Sequence, residues 1–276
     1  MNIVTTTTVF PRCYDAVQFT KRLSGIGFKH LDLGLDYCIS KPDYPFMTDG
    51  YEKWANDIRE AAENCGAVYT HSHAPFDVSS GDELIDRSFR CAQILGIKYM
   101  VVHPKWKKLD GSDLMYGEEF IRVNKQLYLP IIEKAAKYGI TVLSENLLWG
   151  DTIKSTAISA LVTDVNAENF GWCYDTGHAY AHGDALDELY KCSCAPLSLH
   201  IQDCHGDGRD EHLIPGDGTL DFHKLMCILK DIGYKGELVL EAHVQSACAK
   251  SEEERTEILT HLYNTARDLN DYYENL

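Results

Sequence analysis

No stretch of this 276-residue sequence is apolar for long enough to span a bilayer. Its opening residues, Met-Asn-Ile-Val-Thr-Thr-Thr-Thr, lack the basic start and apolar run of a secretory leader. Together these absences point to a cytoplasmic protein with no membrane partner. Basic residues are scarce, at 26 Lys plus Arg against 42 Asp plus Glu, for a formal net charge of -16. A polyanion meets repulsion over most of such a surface, so nucleic acid is disfavoured as a partner. No Cys-x-x-Cys pair occurs among the ten cysteines, and Cys91, Cys173 and Cys227 sit inside apolar runs. Buried thiols in a reducing compartment are therefore expected rather than disulfides. Low-complexity tracts, charged tails and Pro/Gly/Ser-rich linkers are missing too. That leaves one domain over residues 1–276 as the simplest organisation, with a homo-oligomer open.

What is present is an alternation. Short runs rich in Val, Ile, Leu and Tyr are separated by longer segments whose apolar residues recur at helical spacing, the pattern of repeated β-α units. Strands are expected near Ile3 to Thr7, Leu31 to Leu33, Val68 to His71, Tyr99 to Val102, Thr141 to Ser144, Trp172 to Tyr174, Leu197 to Ile201 and Leu238 to Leu240. Several are continuously apolar, as strands buried on both faces are. The helices between them carry punctuation. Asp221 precedes a stripe of Phe222, Leu225, Met226 and Leu229 that Gly233 ends; Ile85, Phe89 and Ala92 lead to Gly96, and Ile131, Ala135 and Tyr138 lead to Gly139. Eight such units, at a length near the roughly 250 residues typical of the fold, predict an α/β protein of one class, a single (β/α)8 TIM barrel. The polar segments Asp36 to Asp49 and Lys105 to Gly117 then fall where loops cover the barrel mouth.

Polar residues recur where those strands end. His73 follows the third strand, His103 the fourth, Glu145 the fifth and Asp175 the sixth; His200 lies in the seventh and Glu241 follows the eighth. Each has an ordinary explanation alone: a loop histidine that is hydrogen-bonded, a carboxylate that accepts backbone N–H groups, an aspartate that caps a turn. Six such accidents on one rim are hard to credit, because the C-terminal strand ends of a barrel converge on a single mouth. Carboxylates gathered there raise one another's pKa unless a cation compensates. Three carboxylates with one imidazole form a hard donor set, suited to a divalent ion such as manganese, zinc, magnesium or cobalt. The cysteines are not expected at these strand ends.

Taken in order, Ser-Glu-Asn at 144 to 146, Asp-Thr-Gly-His at 175 to 178, His200 with Gln-Asp at 202 and 203, Arg-Asp-Glu-His-Leu-Ile-Pro-Gly-Asp-Gly at 209 to 218, and Leu-Glu at 240 and 241 resemble the xylose-isomerase-like barrels over nearly the whole chain. That group includes sugar epimerases, inosose-processing enzymes and zinc-dependent apurinic endonucleases. The resemblance implies a metal centre of Glu145, Asp175, His200 and Glu241, and a substrate contact at His178. It also implies, from the endonuclease branch, further metal ligands at His73, His103, His178, Asp210 and His212. With an acidic surface, the additional histidines are read as substrate-facing, so the expected substrate-binding residues are His73, His103, His178 and Arg209.

The reaction expected from this set is proton-transfer isomerisation or epimerisation of a small carbohydrate, a ketose or a cyclitol ketone, through a metal-stabilised enediolate. Glu145 and Glu241, opposed across the mouth, are the expected catalytic pair, one removing a proton and the other returning it. Lys105 and Trp106, in the loop after the fourth strand, could add a charge and an apolar wall, but a solvated lysine and a packed tryptophan are the readier expectations. The alternatives are an inosose-type lyase and an apurinic-endonuclease-like phosphodiesterase.

Overall fold

The computed structural model of the protein describes residues 1–11, 15–40, 42–183 and 186–276. Among them eight strands alternate with eight α-helices: β1 (Ile3–Thr6), α1 (Ala16–Ile26), β2 (His30–Gly34), α2 (Tyr51–Cys65), β3 (Val68–Asp77), α3 (Asp82–Leu95), β4 (Tyr99–His103), α4 (Gly117–Ala136), β5 (Thr141–Glu145), α5 (Ser155–Val165), β6 (Phe170–Asp175), α6 (Thr176–Ala181), β7 (Ser198–His200), α7 (Phe222–Asp231), β8 (Leu238–Leu240) and α8 (Glu252–Asn275). All strand pairings are parallel, in the order β8-β1-β2-β3-β4-β5-β6-β7. Just past β7, Ile201 closes the ring onto β8: its N–H donates to the Val239 carbonyl at 2.7 Å and its carbonyl accepts from Glu241 N–H at 3.0 Å. The fold is a TIM barrel, with all eight strands delivering their last residues to one rim.

The expected helix signals act as read. Asp221 caps α7 by accepting from Lys224 N–H at 2.9 Å, and Phe222, Leu225, Met226 and Leu229 are buried. Gly96, Gly139 and Gly233 take positive φ values of 74°, 72° and 71° after their helices, a region that costs glycine little. No described helix is long and apolar enough to cross a membrane.

Two expectations need correction. Strand β3 runs six residues beyond His71, to Asp77, because a register irregularity between His73 and Asp77 lets the chain rejoin β4 opposite His103. His73 therefore lies within a strand, as His200 does. The cysteines are not uniformly thiols: Cys248 is disulfide-bonded, while Cys38, Cys65, Cys91, Cys173, Cys192, Cys194, Cys204 and Cys227 are free.

On β3, His71 is buried inside the barrel at 1% exposure and stacks on Tyr99 with ring centroids 5.0 Å apart. Burial, with His200 and His30 adding to it, holds the imidazole neutral down to a pKa of about 3 against an ordinary 6.5. Between those values the unfolded chain binds the proton more tightly than the folded one, so stability falls as pH drops through that window. Urea unfolding from pH 7 to pH 4 is expected to show a loss to which His71 contributes on the order of a few kcal/mol. The variant His71→Gln should have the shallower slope. Identical slopes for the two proteins would show that His71 is not the source.

Candidate metal centre

Glu145, Asp175 and His200 are the last residues of β5, β6 and β7, and Glu241 directly follows β8. Each offers one donor atom to a group in which all four atoms lie within 4.8 Å of one another, and all four side chains are buried. His200 Nδ1 is the hub, 2.7 Å from Glu145 Oε1 and 3.1 Å from Glu241 Oε2. Asp175 does two things at once. Its Oδ1 caps α6 by accepting from His178 N–H at 2.6 Å, while its Oδ2 is buried without a hydrogen-bond partner. Capping thus accounts for one oxygen and leaves the other unsatisfied inside the group, where a buried acceptor costs stability unless something meets it.

Electrostatics distribute the charge unevenly. Burial pushes Glu145 and Glu241 up, but His200 and other imidazoles hold both carboxyls well below their ordinary range. Asp175 goes the other way, raised to about 7 by burial and by Glu145 and Glu241, against the pull of His178. Burial opposes protonation of His200, yet Cys173, Glu241 and Glu145 lift it well above the usual imidazole range. Without an ion, an imidazolium fills the role of the cation.

Two further groups flank this one. His73 Nε2 is 2.9 Å from His103 Nε2, and Glu145 Oε2 is 3.2 Å from His103 Nε2 and 3.5 Å from His73 Nε2. On the other side, Asp210 lies 3.5 Å from His178 Nε2 and 3.1 Å from His212 Nε2. Three of these rings share one arrangement. The Nδ1–H of His73 donates to Ala74 O at 3.1 Å, that of His178 to Asn146 O at 2.9 Å and that of His212 to Glu241 O at 2.9 Å. Fixing Nδ1 on a carbonyl leaves Nε2 aimed into the site, which is how metal-binding histidines are oriented. His212 does so from a left-handed backbone, φ 48°, uncommon for a residue with a Cβ. Both three-residue groups meet the same 4.8 Å condition as the central four.

Side chains to which the sequence reading gave no role hold the donors in place. Asn146 clamps Asp175 in both directions, its Nδ2 donating to Asp175 O and its Oδ1 accepting from Asp175 N–H, each at 2.8 Å. Gln202 Nε2 donates to Asp175 Oδ1 at 3.2 Å and to Asp210 Oδ1 at 3.3 Å. Asp203, fully buried, accepts from the backbone N–H groups of Cys204, Gly216, Gly218 and Leu220 at 2.8 to 3.1 Å, pinning the loop that carries Asp210 and His212. A Cβ at Gly177 would sit 2.1 Å from Gln202, and one at Gly218 would sit 2.4 Å from Asp203, so both glycines are required by close approach. The sequence carries their signal: Asn146 follows a donor directly, and Gln202 and Asp203 lie within three residues of His200.

The donors open onto a cavity of about 550 Å3 lined by His73, His103, His178 and His212 and walled by Phe76 and Trp106. Trp106 stacks on Trp149 with centroids 5.0 Å apart, the packed tryptophan expected, and also lines the cavity. From the loop over Asp36 to Asp49, Asp36, Tyr37 and Ile39 reach the cavity; Lys41 lies outside the described residues. Arg209 does not line it. Its guanidinium is 64% exposed and held by Asp207 at 2.7 Å and Glu211 at 3.3 Å, because those carboxylates flank it in sequence. One cysteine is nearer than expected: Cys173 pairs with Glu145 in register and shares a buried group with Glu145 and His200. Burial raises its thiol to about 12, which keeps it protonated and a poor ligand.

The family model for the xylose isomerase-like TIM barrel matches residues 21–264, and the chain belongs to that family. An uncharacterized protein of Methanocaldococcus jannaschii is 30% identical over 167 residues, 58% of this chain and 55% of that protein. The inosose isomerase of Bacillus licheniformis is 27% identical over 157 residues, 54% of this chain and 55% of that protein. The matches thus span about half the length of these curated relatives. Among solved structures, the IolI protein with a bound zinc atom superposes with a TM-score of 0.77 at 17% identity over 99% of both chains. D-psicose 3-epimerase in the presence of D-fructose gives 0.76 at 15% identity over 98% of this chain and 99% of that one. At such identities the structural likeness speaks for the fold.

Because Asp175 titrates near 7 and His200 above the usual imidazole range, a divalent ion entering the central group must displace protons from both. Affinity of the chelator-treated protein for zinc is therefore expected to rise as pH increases through 7, with proton release seen by calorimetry in buffers of different ionisation enthalpy. A pH-independent affinity would contradict this charge distribution. In a separate test, Asp203→Ala should lower stability by about 2–4 kcal/mol, since it strands four backbone donors that now meet a charged acceptor. Urea denaturation measures it, and a loss below about 0.5 kcal/mol would count against the pinning role.

Proposed function

We propose that this member of the xylose isomerase-like TIM barrel family is a metal-dependent isomerase or epimerase, one domain over residues 1–276, acting on a small polyhydroxylated ketone such as a ketose or a cyclitol ketone. The observation that carries the reading is the buried convergence of Glu145, Asp175, His200 and Glu241 beneath a sugar-sized cavity. The residues fit an ion: Asp175 Oδ2 is an acceptor in want of a partner, and a set of three carboxylates and one imidazole suits manganese, zinc, magnesium or cobalt. Glu145, Asp175, His200 and Glu241 would hold it, and when bound it supplies Lewis-acid polarisation of a carbonyl oxygen.

The remaining work falls to the side chains. Glu145 and Glu241 approach His200 from β5 and from the end of β8, both with pKa values low enough to be ionised at neutral pH. One, as the carboxylate, removes a carbon-bound proton from a substrate seated between them; the other, after taking a proton from water, returns it on the opposite face, which inverts the carbon, and the first then gives its proton up to water. His73, His103 and His178 point Nε2 atoms into the cavity and orient hydroxyl groups; Phe76 and Trp106 exclude water from one side. The names of the relatives, an inosose isomerase and sugar epimerases, support this class.

A second reading is favoured by one observation, the pair of flanking groups His73, His103, Glu145 and His178, Asp210, His212. If both take ions, the site holds three, and phosphodiester hydrolysis at abasic DNA becomes the matching chemistry. A net charge of -16 weighs against the phosphate contacts that this needs.

Protein purified without added metal is expected to carry about one ion per chain and to exchange solvent deuterium into a carbon-bound position of at least one ketose or cyclitol ketone, followed by NMR. Glu145→Gln and Glu241→Gln should each lower that exchange by about 10²-fold or more with the fold intact by circular dichroism. Wild-type exchange in both variants overturns the assignment. About three ions per chain, nicking of abasic DNA and no exchange on any sugar would replace it with the second reading.

A further inference from the structure

Asp77 ends β3 and lines the cavity, one of several carboxylates there together with Asp36, Asp210, Glu145 and Glu241. Its Oδ2 accepts from Lys105 Nζ at 3.3 Å; its Oδ1 accepts from the backbone N–H of Ser79 at 2.7 Å and from the Ser79 hydroxyl. Lys105 Nζ donates in turn to Ser79 Oγ at 3.1 Å. The lysine backbone is fixed as well, since Lys105 N–H donates to Asn124 Oδ1 at 2.7 Å and Lys105 O accepts from Asn124 Nδ2 at 2.9 Å. Lys105 is next to Trp106 in the wall of the cavity, yet its own side chain is not among the lining groups. In the Asp77–Lys105 pair the carboxylate lines the cavity and the ammonium is turned to the carboxylate. Arg209 is also kept out of the lining, engaged by Asp207 and Glu211.

We propose that Asp77 is a specificity-determining residue: by holding Lys105 against Ser79 it withholds an ammonium from the cavity and shows a carboxylate instead, so the site takes uncharged polyhydroxy ketones in preference to their phosphate monoesters. A phosphate dianion brought into this cavity meets like charge from Asp77, and the lysine that could neutralise it is already occupied. A free sugar carries no charge to be repelled, and its hydroxyl groups find acceptors in the same carboxylates. The identity of the ligand class rests on the isomerase or epimerase reading; the charge selection itself does not need turnover to be measured.

The test uses manganese-loaded protein with D-fructose and D-fructose 6-phosphate as probes, measuring binding by calorimetry and deuterium exchange by NMR. Wild type is expected to bind the free sugar at least about tenfold more tightly than the phosphate. Asp77→Asn, which keeps the shape and frees Lys105, is expected to narrow that ratio by about tenfold at low ionic strength and by less in high salt. The double variant Asp77→Asn with Lys105→Ala should return the ratio toward wild type, a rescue that a merely structural role for Asp77 would not produce. A wild type that prefers the phosphate, or a ratio unmoved by Asp77→Asn, overturns the proposal whatever the exchange shows. Selective binding with no exchange on D-fructose or on any other ketose or cyclitol ketone would instead sink the isomerase reading and leave the charge selection standing; failure of the wild type and the variant to bind either probe overturns the charge selection.

Discussion

Three carboxylates brought to a buried point of a barrel repel one another with an energy that water, excluded from the point, no longer absorbs. Glu145, Asp175 and Glu241 are in that position, and the rest of the site follows from how their charge is met. His200 stands between the two glutamates and carries a proton well above its usual range, while burial and the charges of Glu145 and Glu241 drive Asp175 up to about 7. One cation could relieve all of this together: it would let Asp175 ionise, release the His200 proton and satisfy the unpaired Oδ2. The barrel supplies the positions, but the conflict of charges is what makes them a site.

Holding that conflict in place requires neutral and charged hydrogen-bonding side chains that never meet the ion. Asn146 ties β5 to β6 through both backbone polar groups of Asp175, so the aspartate cannot swing away from its neighbours. Gln202 ties the central group to Asp210, and Asp203 anchors the loop between β7 and α7 on four backbone N–H groups. Asn146 follows its donor directly, whereas Gln202 and Asp203 stand two and three residues beyond His200, past the end of β7.

Burial decides which parts were legible in the sequence. Strands such as Phe170–Asp175 and Leu238–Leu240 read clearly because they are buried on both faces and so are apolar throughout. The donors at their ends read clearly for the converse reason, a charge set directly after an apolar run. The far half of β3 did not read as strand, since His-Ala-Pro-Phe-Asp mixes polar residues with a proline and pairs only after an irregularity. Asp77 was hidden with it. Arg209 stands outside the cavity lining, held by Asp207 and Glu211, a pairing that the motif alone does not announce. Asp32, raised to about 6 by burial and lying near His200 and His73, was passed over inside an apolar strand, where a lone aspartate gives no sign of which face it takes.

The number of ions the site holds and the kind of ligand it accepts are one question of charge. Glu145, Asp175, Glu241 and Asp210 bring four negative charges to the three groups when ionised. One divalent ion leaves those groups two charges negative, a setting for a neutral, hydroxyl-rich ligand that donates hydrogen bonds to carboxylates. Three divalent ions would leave them two charges positive, a setting for a phosphodiester. The surroundings do not favour the second case, because Asp36 and Asp77 add carboxylates to the same cavity wall while Lys105 and Arg209 are held by carboxylates. Histidines oriented by Nδ1 on a carbonyl serve either case equally, since an Nε2 lone pair accepts from a hydroxyl as readily as it binds a metal. A single ion and a sugar are therefore favoured less by the histidines, which both branches of the family's chemistry can use, than by the acidic wall around them.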